Sequence, residues 1–370
     1  SPKIYTKENV LFLNEYRQAF RNGFLTLDTS YTEGYKNTSS TKTTGSRNHL
    51  FANLDLNLNE KEDSKNSLSL KIQRTSNNTY FRAHDINTSL VNAENTNLEN
   101  ELKYTFNNAD MYVDIRTSIF EDLNKKKSSD KYEYILPNIM YGKTYFSEKF
   151  GTIDFKSNAF YSNYDTNKHK TFLTNDFIWS PFSSISKNGF VNSIQAMVRN
   201  INYDSKNTGE YKEESTVNEL HGVLSHRTSL SMKKISVNYS KLFSPNFMVR
   251  YAPGHMRKLN SKDTTLNYSN LYALNKTSEI EDGLSAIFGI DYKINEKKGN
   301  SEKEKLSLSI GQVFNYKENF DMPSKSSLDQ KTSDVVGVIN YNFSEIGKID
   351  YKFSLDHNLN DLNYNDISTI

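Results

Sequence analysis

Leu50-Phe51-Ala52-Asn53-Leu54-Asp55-Leu56-Asn57-Leu58 alternates apolar and polar side chains, and the same rhythm recurs from one end of the chain to the other. In a strand with a side-chain period of two, Leu50, Ala52, Leu54, Leu56 and Leu58 share one face, while Asn53, Asp55 and Asn57 share the other. One face is apolar and the other hydrated. Further along, Met111, Val113, Ile115 and Ile119 oppose Tyr112, Asp114 and Arg116. Near the end, Ile349, Tyr351, Phe353 and Leu355 oppose Asp350, Lys352, Ser354 and Asp356. Two-faced strands repeated in this way, with almost no helix between them, predict an all-β fold. The expected architecture is a large antiparallel transmembrane β-barrel, with lipid outside and water inside.

Composition agrees once that geometry is allowed for. Mean hydropathy is -0.74 and apolar residues make up 35%, with no run approaching the roughly 18 apolar residues that a membrane-spanning helix needs. In a barrel half of each strand faces the lumen, so low average hydropathy is expected. The 24 Tyr and 22 Phe against a single Trp suit interfacial aromatic girdles, although strands of soluble proteins also favour these rings. Net charge is +2, from 46 basic and 44 acidic residues that are interspersed, which argues against a nucleic-acid partner. The chain has no Cys, removing disulfides, thiolate metal sites and Cys nucleophiles together. It begins Ser-Pro-Lys without an export signal, and the expectation is an excised piece of a longer precursor.

About sixteen to eighteen strands are expected. They include 229–243, 247–257, 265–273 and 348–360, with Ser244-Pro245 and Tyr251-Ala252-Pro253 read as proline punctuation. Short connections such as Arg21-Asn22-Gly23 contrast with long polar ones such as 36–47 and 317–333, as in outer-membrane barrels. The Asn-rich stretch 77–97 alternates weakly and is read as a long loop or an excursion into the lumen. Residues 1–370 are expected to form one partial barrel domain, with no linker.

Chemistry-bearing motifs are sparse. The seven His residues lack zinc-type spacing, and His221 and His226 fall on opposite faces of one strand. No phosphate-binding loop or nucleophile elbow occurs, and the adjacent acids Glu213-Glu214 and Glu281-Asp282 suit loops or a polar lumen better than a catalytic dyad. Ser225 and His226 are adjacent, so a strand sends them to opposite faces. Neither catalysis nor a cofactor or metal is expected. Arg74, Arg82, Arg116, Arg199, Arg227, Arg250 and Arg257 should face the lumen or a rim, because each would cost about 2–4 kcal/mol against lipid at the midplane.

Barrel architecture alone does not identify a cargo. The run Leu259-Asn260-Ser261-Lys262-Asp263-Thr264, followed by Asn270-Leu271-Tyr272 and by 275–283 ending in Ile280-Glu281-Asp282-Gly283, resembles a segment of the LPS-assembly barrel family LptD. Pro245 and Pro253 resemble proline-marked strands upstream of it. Ser327-Leu328 with Ser333-Asp334-Val335-Val336-Gly337 is similar to a strand downstream, and Leu11-Phe12-Leu13-Asn14-Glu15-Tyr16-Arg17 to an early one. The motif positions are therefore Pro245, Pro253, Asp263, Asn275, Glu281, Gly283, Ser333, Asp334 and Gly337. Tyr272 and Lys276 depart from the family's Phe and Arg, and the family's cysteines are missing.

The resemblance implies a barrel of about 26 strands when complete, of which this chain is a fragment. The periplasmic jelly-roll and the last strands are expected to lie outside it. It also implies insertion of lipopolysaccharide into the outer leaflet of the Gram-negative outer membrane. The implied partners are lipopolysaccharide, an LptE-like lipoprotein plug, periplasmic LPS-bridge proteins and outer-membrane lipids. A general or substrate-specific porin is the alternative reading, and a surface adhesin or soluble β-sandwich a more distant one.

Overall fold

The structure is a computed structural model that describes residues 2–5, 9–37, 42–61, 63–125, 130–164, 168–208, 217–256, 258, 264–277, 279–298, 301–343 and 347–369. Among these residues twenty strands are hydrogen-bonded into one antiparallel sheet, with almost no helix. The first ten are β1 (Pro2–Lys3), β2 (Leu11–Phe20), β3 (Gly23–Asn37), β4 (Lys42–Lys61), β5 (Ser64–Thr75), β6 (Asn97–Asn108), β7 (Met111–Asp122), β8 (Tyr132–Ser147), β9 (Gly151–Tyr164) and β10 (Lys168–Ser180). They are followed by β11 (Ser184–Ile185), β12 (Phe190–Lys206), β13 (Val217–Leu230), β14 (Met232–Ile235), β15 (Tyr239–Ala252), β16 (Gly283–Lys298), β17 (Ser301–Asn315), β18 (Val335–Asn342), β19 (Lys348–Leu355) and β20 (Leu362–Thr369). One helical turn, α1, spans Tyr80–Ala83.

The chain divides into two compact units, one of residues 1–144, 155–175 and 200–219 and the other of residues 145–154, 176–199 and 220–370. In the first, β2 to β7 pair in sequence order. Register sets Leu25 opposite Leu54, Leu54 opposite Leu70 and Leu70 opposite Leu102, giving a row of leucines across four strands on one face. Leu50 at 42% and Leu102 at 47% remain exposed on that face, while Asp28 and Thr32 on the opposite face of β3 are 1% exposed. A soluble sheet would bury the leucines and expose the aspartate. The reverse arrangement is the one a strand adopts between lipid and a polar interior.

The second unit repeats the inversion. Leu224, Tyr251 and Leu284 form a cross-strand row on the exposed face, with Phe247 beside Phe288. Ser225, Ser244, Asn246 and Arg250 are buried on the other face. Apolar residues do occur among the inward positions, and they lie where an inserted segment covers them. Phe51 sits beneath Tyr80 and Phe81 in the first unit; Met248, Ile287 and Val313 sit beneath Leu271 and Ile280 in the second.

Four boundaries differ from those the alternation predicts. Residues 42–47, expected within a long polar connection, belong to β4, which pairs with β3 as far as Asn37 opposite Lys42. Strand β15 runs through Pro245, which pairs with Ile290 of β16; the reversal falls earlier, where Ser236 N donates to Tyr239 O at 2.8 Å. On the other side of β15 the pairing lapses between Ser229 opposite Asn246 and Met232 opposite Phe243 and resumes in the same register, as a residue without an N–H allows. Residues 265–273 are turns, not a strand. Asn267 Oδ1 accepts the amides of Ser269 and Asn270 at 3.0 and 3.2 Å, and Asn270 Oδ1 accepts that of Asn267 at 2.9 Å, so local side-chain bonds replace a ladder. The stretch 348–360 splits at a turn in which Asp356 N donates to Asp361 O, leading into β20.

Candidate functional site

Two inserted segments lie against polar strand faces, one in each unit. In the first unit the stretch 77–97 is the expected excursion. It folds through α1, buries Tyr80, Phe81, Ile86 and Val91, and packs them on Leu11, Phe51, Leu98 and Leu123. Its polar fastening is a chain of hydroxyls and one imidazole that ends on a carboxylate. Ser30 Oγ lies 2.5 Å from His49 Nδ1 and 2.8 Å from the Tyr80 hydroxyl, and His49 Nε2 lies 3.0 Å from Asp28 Oδ1. Thr88 Oγ1 donates to the other oxygen of Asp28.

Serine, histidine and aspartate in hydrogen-bonded sequence are the residue types of a nucleophilic triad. Here β3 and β4 bring them together because Ser30 pairs directly with His49 and Asp28 shares Ser30's face. The serine oxygen is bonded to Tyr80, and all three side chains are buried beside that ring. The constellation fastens 77–97 to the wall and offers no open nucleophile.

In the second unit the described residues 264–277 and 279–282 lie in the connection between β15 and β16. Arg250, fully buried on β15, donates from Nε to Leu274 O at 2.6 Å and from Nη2 to Glu281 O at 2.8 Å, thereby holding both limbs of the insert. Glu281 Oε1 accepts Lys276 Nζ at 3.0 Å and lies 3.8 Å from Arg250 Nε, while Glu281 Oε2 accepts the Lys276 amide at 3.1 Å. Burial lowers the Lys276 pKa, and Glu281 opposes that shift without cancelling it. Burial alone would raise the Glu281 pKa; the adjacent Lys276 and Arg250 outweigh it and hold the carboxyl below its ordinary value. A cavity of about 180 Å³ adjoins this cluster.

A second attachment reaches the far end of the insert. Asp291 on β16 accepts the Tyr268 hydroxyl and Ser309 Oγ, each at 2.6 Å, and Asn246 Nδ2 at 2.9 Å. Arg227 donates to Asn246 Oδ1 at 2.8 Å and lies 4.1 Å from the centre of the Tyr272 ring. Burial pushes the Tyr272 hydroxyl up to about 12, so it stays protonated. Two glycines facing each other across β16 and β17, Gly289 and Gly311, make room for this contact. A Cβ on Gly289 would collide with the Tyr272 hydroxyl, and one on Gly311 with Leu271.

The residues singled out from sequence distribute unevenly over this arrangement. Glu281 is central to it. Gly283 has a φ of +100° at the step from insert to strand, a conformation that favours glycine. Pro253 directly follows β15, Pro245 lies inside it, and Asn275 is half-buried within the insert. Ser333, Asp334 and Gly337 gather instead at the entry to β18: Ser333 Oγ accepts the Val313 amide at 2.9 Å, and Asp334 Oδ2 accepts Ser354 Oγ at 2.9 Å. Gly337 clears space for the Phe353 ring. Asp263, Arg257 and Glu213-Glu214 lie outside the described residues.

Arg116, Arg199, Arg227 and Arg250 lie on the polar side of their strands, whereas Arg74 pairs with Leu50 and shares the exposed face of the leucine row. Arg199 forms a two-pronged pair with Asp176 at 2.7 and 2.8 Å, Arg116 lies 3.5 Å from Glu101, and exposed Arg74 stands near the end of β5. Arg82 is exposed on α1. His221 is buried while His226 is exposed, as alternation requires. Sequence reasoning missed Lys276 as a buried cation and Asp291 as a hub. The available signal was Asp291 sharing the inward parity of Ser285 and Ile287.

Comparison with known proteins gives one family: the one described as LPS transport system D, LptD, matches residues 55–369. No curated protein matches the chain.

Proposed function

We propose that this chain, which belongs to the LptD family of LPS transport proteins, is part of the outer-membrane barrel wall through which lipopolysaccharide is inserted into the outer leaflet. The observation that carries the reading is the inverted burial of both units, with leucine and aromatic rows exposed and Asp28, Asn246 and Arg250 buried. That pattern fits a wall with lipid on one side and a polar path on the other. The family match favours transport of LPS over general porin activity.

The mechanism is physical. Sugar groups pass along the polar face, where Ser, Asn and Asp side chains replace water, while acyl chains leave through a parted strand seam elsewhere in the complete barrel. Each part of the amphiphile thus avoids the solvent that would penalise it. Each insert, 77–97 in one unit and 264–282 in the other, covers part of its own unit's polar face and is fastened there by buried hydrogen bonds. An LptE-like lipoprotein within the lumen, periplasmic bridge proteins and a jelly-roll preceding the barrel complete the machine in this reading.

Depleting the full-length protein in its native cell and measuring lipopolysaccharide at the surface tests the proposal. Surface lipopolysaccharide should fall. Normal delivery with intact viability would overturn it.

A further inference from the structure

Within the second unit a cavity of about 560 Å³ opens between the start of the insert, the turn at Ser324–Ser326 and the strands β19 and β20. Its volume lies within the roughly 300–1,000 Å³ range of small-molecule sites. The lining carries hydroxyls, amides and carboxylates from residues that include Thr265, Ser327, Asp334, Ser354 and Asn363, beside the apolar Leu266 and one aromatic ring, Tyr364. We propose that this cavity is a subsite for neutral sugar units of lipopolysaccharide; the inference rests on the transport reading and assigns the saccharide a particular place on the wall.

Register explains how two successive residues of β20 both reach the cavity. Ser354 pairs with Tyr364, but Leu355 pairs with Leu362, leaving Asn363 as the extra residue of a bulge. In a regular strand Asn363 and Tyr364 would point to opposite faces; a bulge re-aims one of them. Asn363 Nδ2 accordingly donates to Asp334 Oδ2 at 2.8 Å, and the same oxygen accepts Ser354 Oγ at 2.9 Å. Ser327 Oγ in turn accepts the Asp334 amide at 2.8 Å. The polar wall is therefore oriented before any ligand arrives, which reduces the ordering cost of binding.

Charge selects within the saccharide class. Asp334 and Asp356 line the cavity against one cation, Lys325. Anionic, phosphate-bearing sugars meet net repulsion there, whereas vicinal hydroxyls can donate to carboxylates and accept from amides. Tyr364 supplies a flat apolar surface for the C–H face of a sugar ring.

The test uses the full-length protein in detergent micelles. The probe is core oligosaccharide freed from lipopolysaccharide by mild acid and then dephosphorylated, with the phosphorylated form in parallel; binding is read by saturation transfer to the sugar protons. The dephosphorylated probe should bind, and the phosphorylated one more weakly. Asn363→Ala and Tyr364→Ala, both at exposed positions, should each weaken binding about fivefold, as expected for one lost contact, while retaining heat-modifiable migration on gels. Absence of binding, preference for the phosphorylated probe, or unchanged binding in both variants would overturn the subsite. Such a result with surface lipopolysaccharide still falling on depletion removes the subsite alone; unchanged surface lipopolysaccharide removes the transport reading itself.

Discussion

The inserts 77–97 and 264–282 solve one problem with different chemistry. Each must cover part of a polar strand face without leaving buried groups unpaired. The first does so with aromatic rings and a network of Ser30, His49, Tyr80, Thr88 and Asp28. The second also has an apolar underside, but its limbs are tied by two buried cations sharing one carboxylate. Within the first network, loss of a link that does not touch the Asp28 carboxylate, such as the Tyr80 hydroxyl, removes one hydrogen bond and leaves the rest in place. A buried charge cluster fails abruptly, because the surviving charges keep their desolvation cost and lose their compensation.

The sharpest way to break this contrast is Glu281→Gln. It should destabilise the second unit by about 3–5 kcal/mol, since Arg250 and Lys276 remain buried. Hydrogen exchange across 264–282 in the full-length protein reads the effect, and protection equal to wild type would refute the charge-clamp account. The double change Lys276→Met with Glu281→Leu should be milder than Glu281→Gln alone, because most of the buried charge leaves together.

Acid titrates the same clamp. The folded Glu281 carboxyl lies below its ordinary value of 4.5, so its contribution is fully present above that pH and is lost as pH falls through the lower, folded value. Protection across 264–282, taken relative to the intrinsic exchange rate at each pH, should therefore fall only below pH 4.5 in wild type and show no such acid step in Glu281→Gln.

Smaller effects separate the contacts themselves. Gly289→Ala should cost about 1–3 kcal/mol by pushing Tyr272 off β16 and crowding the Ile310 carbonyl of β17, measured as lost protection in residues 264–282 and along β16 and β17. Tyr80→Phe should cost about 1 kcal/mol, the worth of one hydroxyl bond to Ser30. A loss for Tyr80→Phe as large as that for Glu281→Gln would erase the distinction between the two fastenings.

Much of the wall was legible in the order of residues. The alternation of 50–58 assigned Leu50 and Leu54 to the outer face, and the structure continues that face through Leu25, Leu70 and Leu102. The excursion at 77–97 was also foreseeable, because its alternation fails. Pro245 misled as punctuation, since β15 keeps its pairing with β16 through it and only the pairing with β13 and β14 lapses there, without a change of register. Residues 265–273 carry hydrophobic spacing compatible with a strand, yet Asn267 and Asn270 close turns that no pattern count weighs. Of the site, the motif reading reached Glu281 and Gly283 but assigned them no partners. Arg250 was placed in the lumen without its two carbonyl acceptors, and Lys276 was noted only as a departure.

The sequence by itself determined the period-two rhythm, hence a sheet with one apolar and one polar face, because side-chain direction in a strand depends only on parity. Tertiary structure alone decided which polar residues became a clamp. Arg250, Leu274 and Glu281 are brought together by a chain reversal, and their energy depends on sharing a space from which water is excluded. The bulge that turns Asn363 toward Asp334 belongs to the same class, since it exists only through the register between two strands.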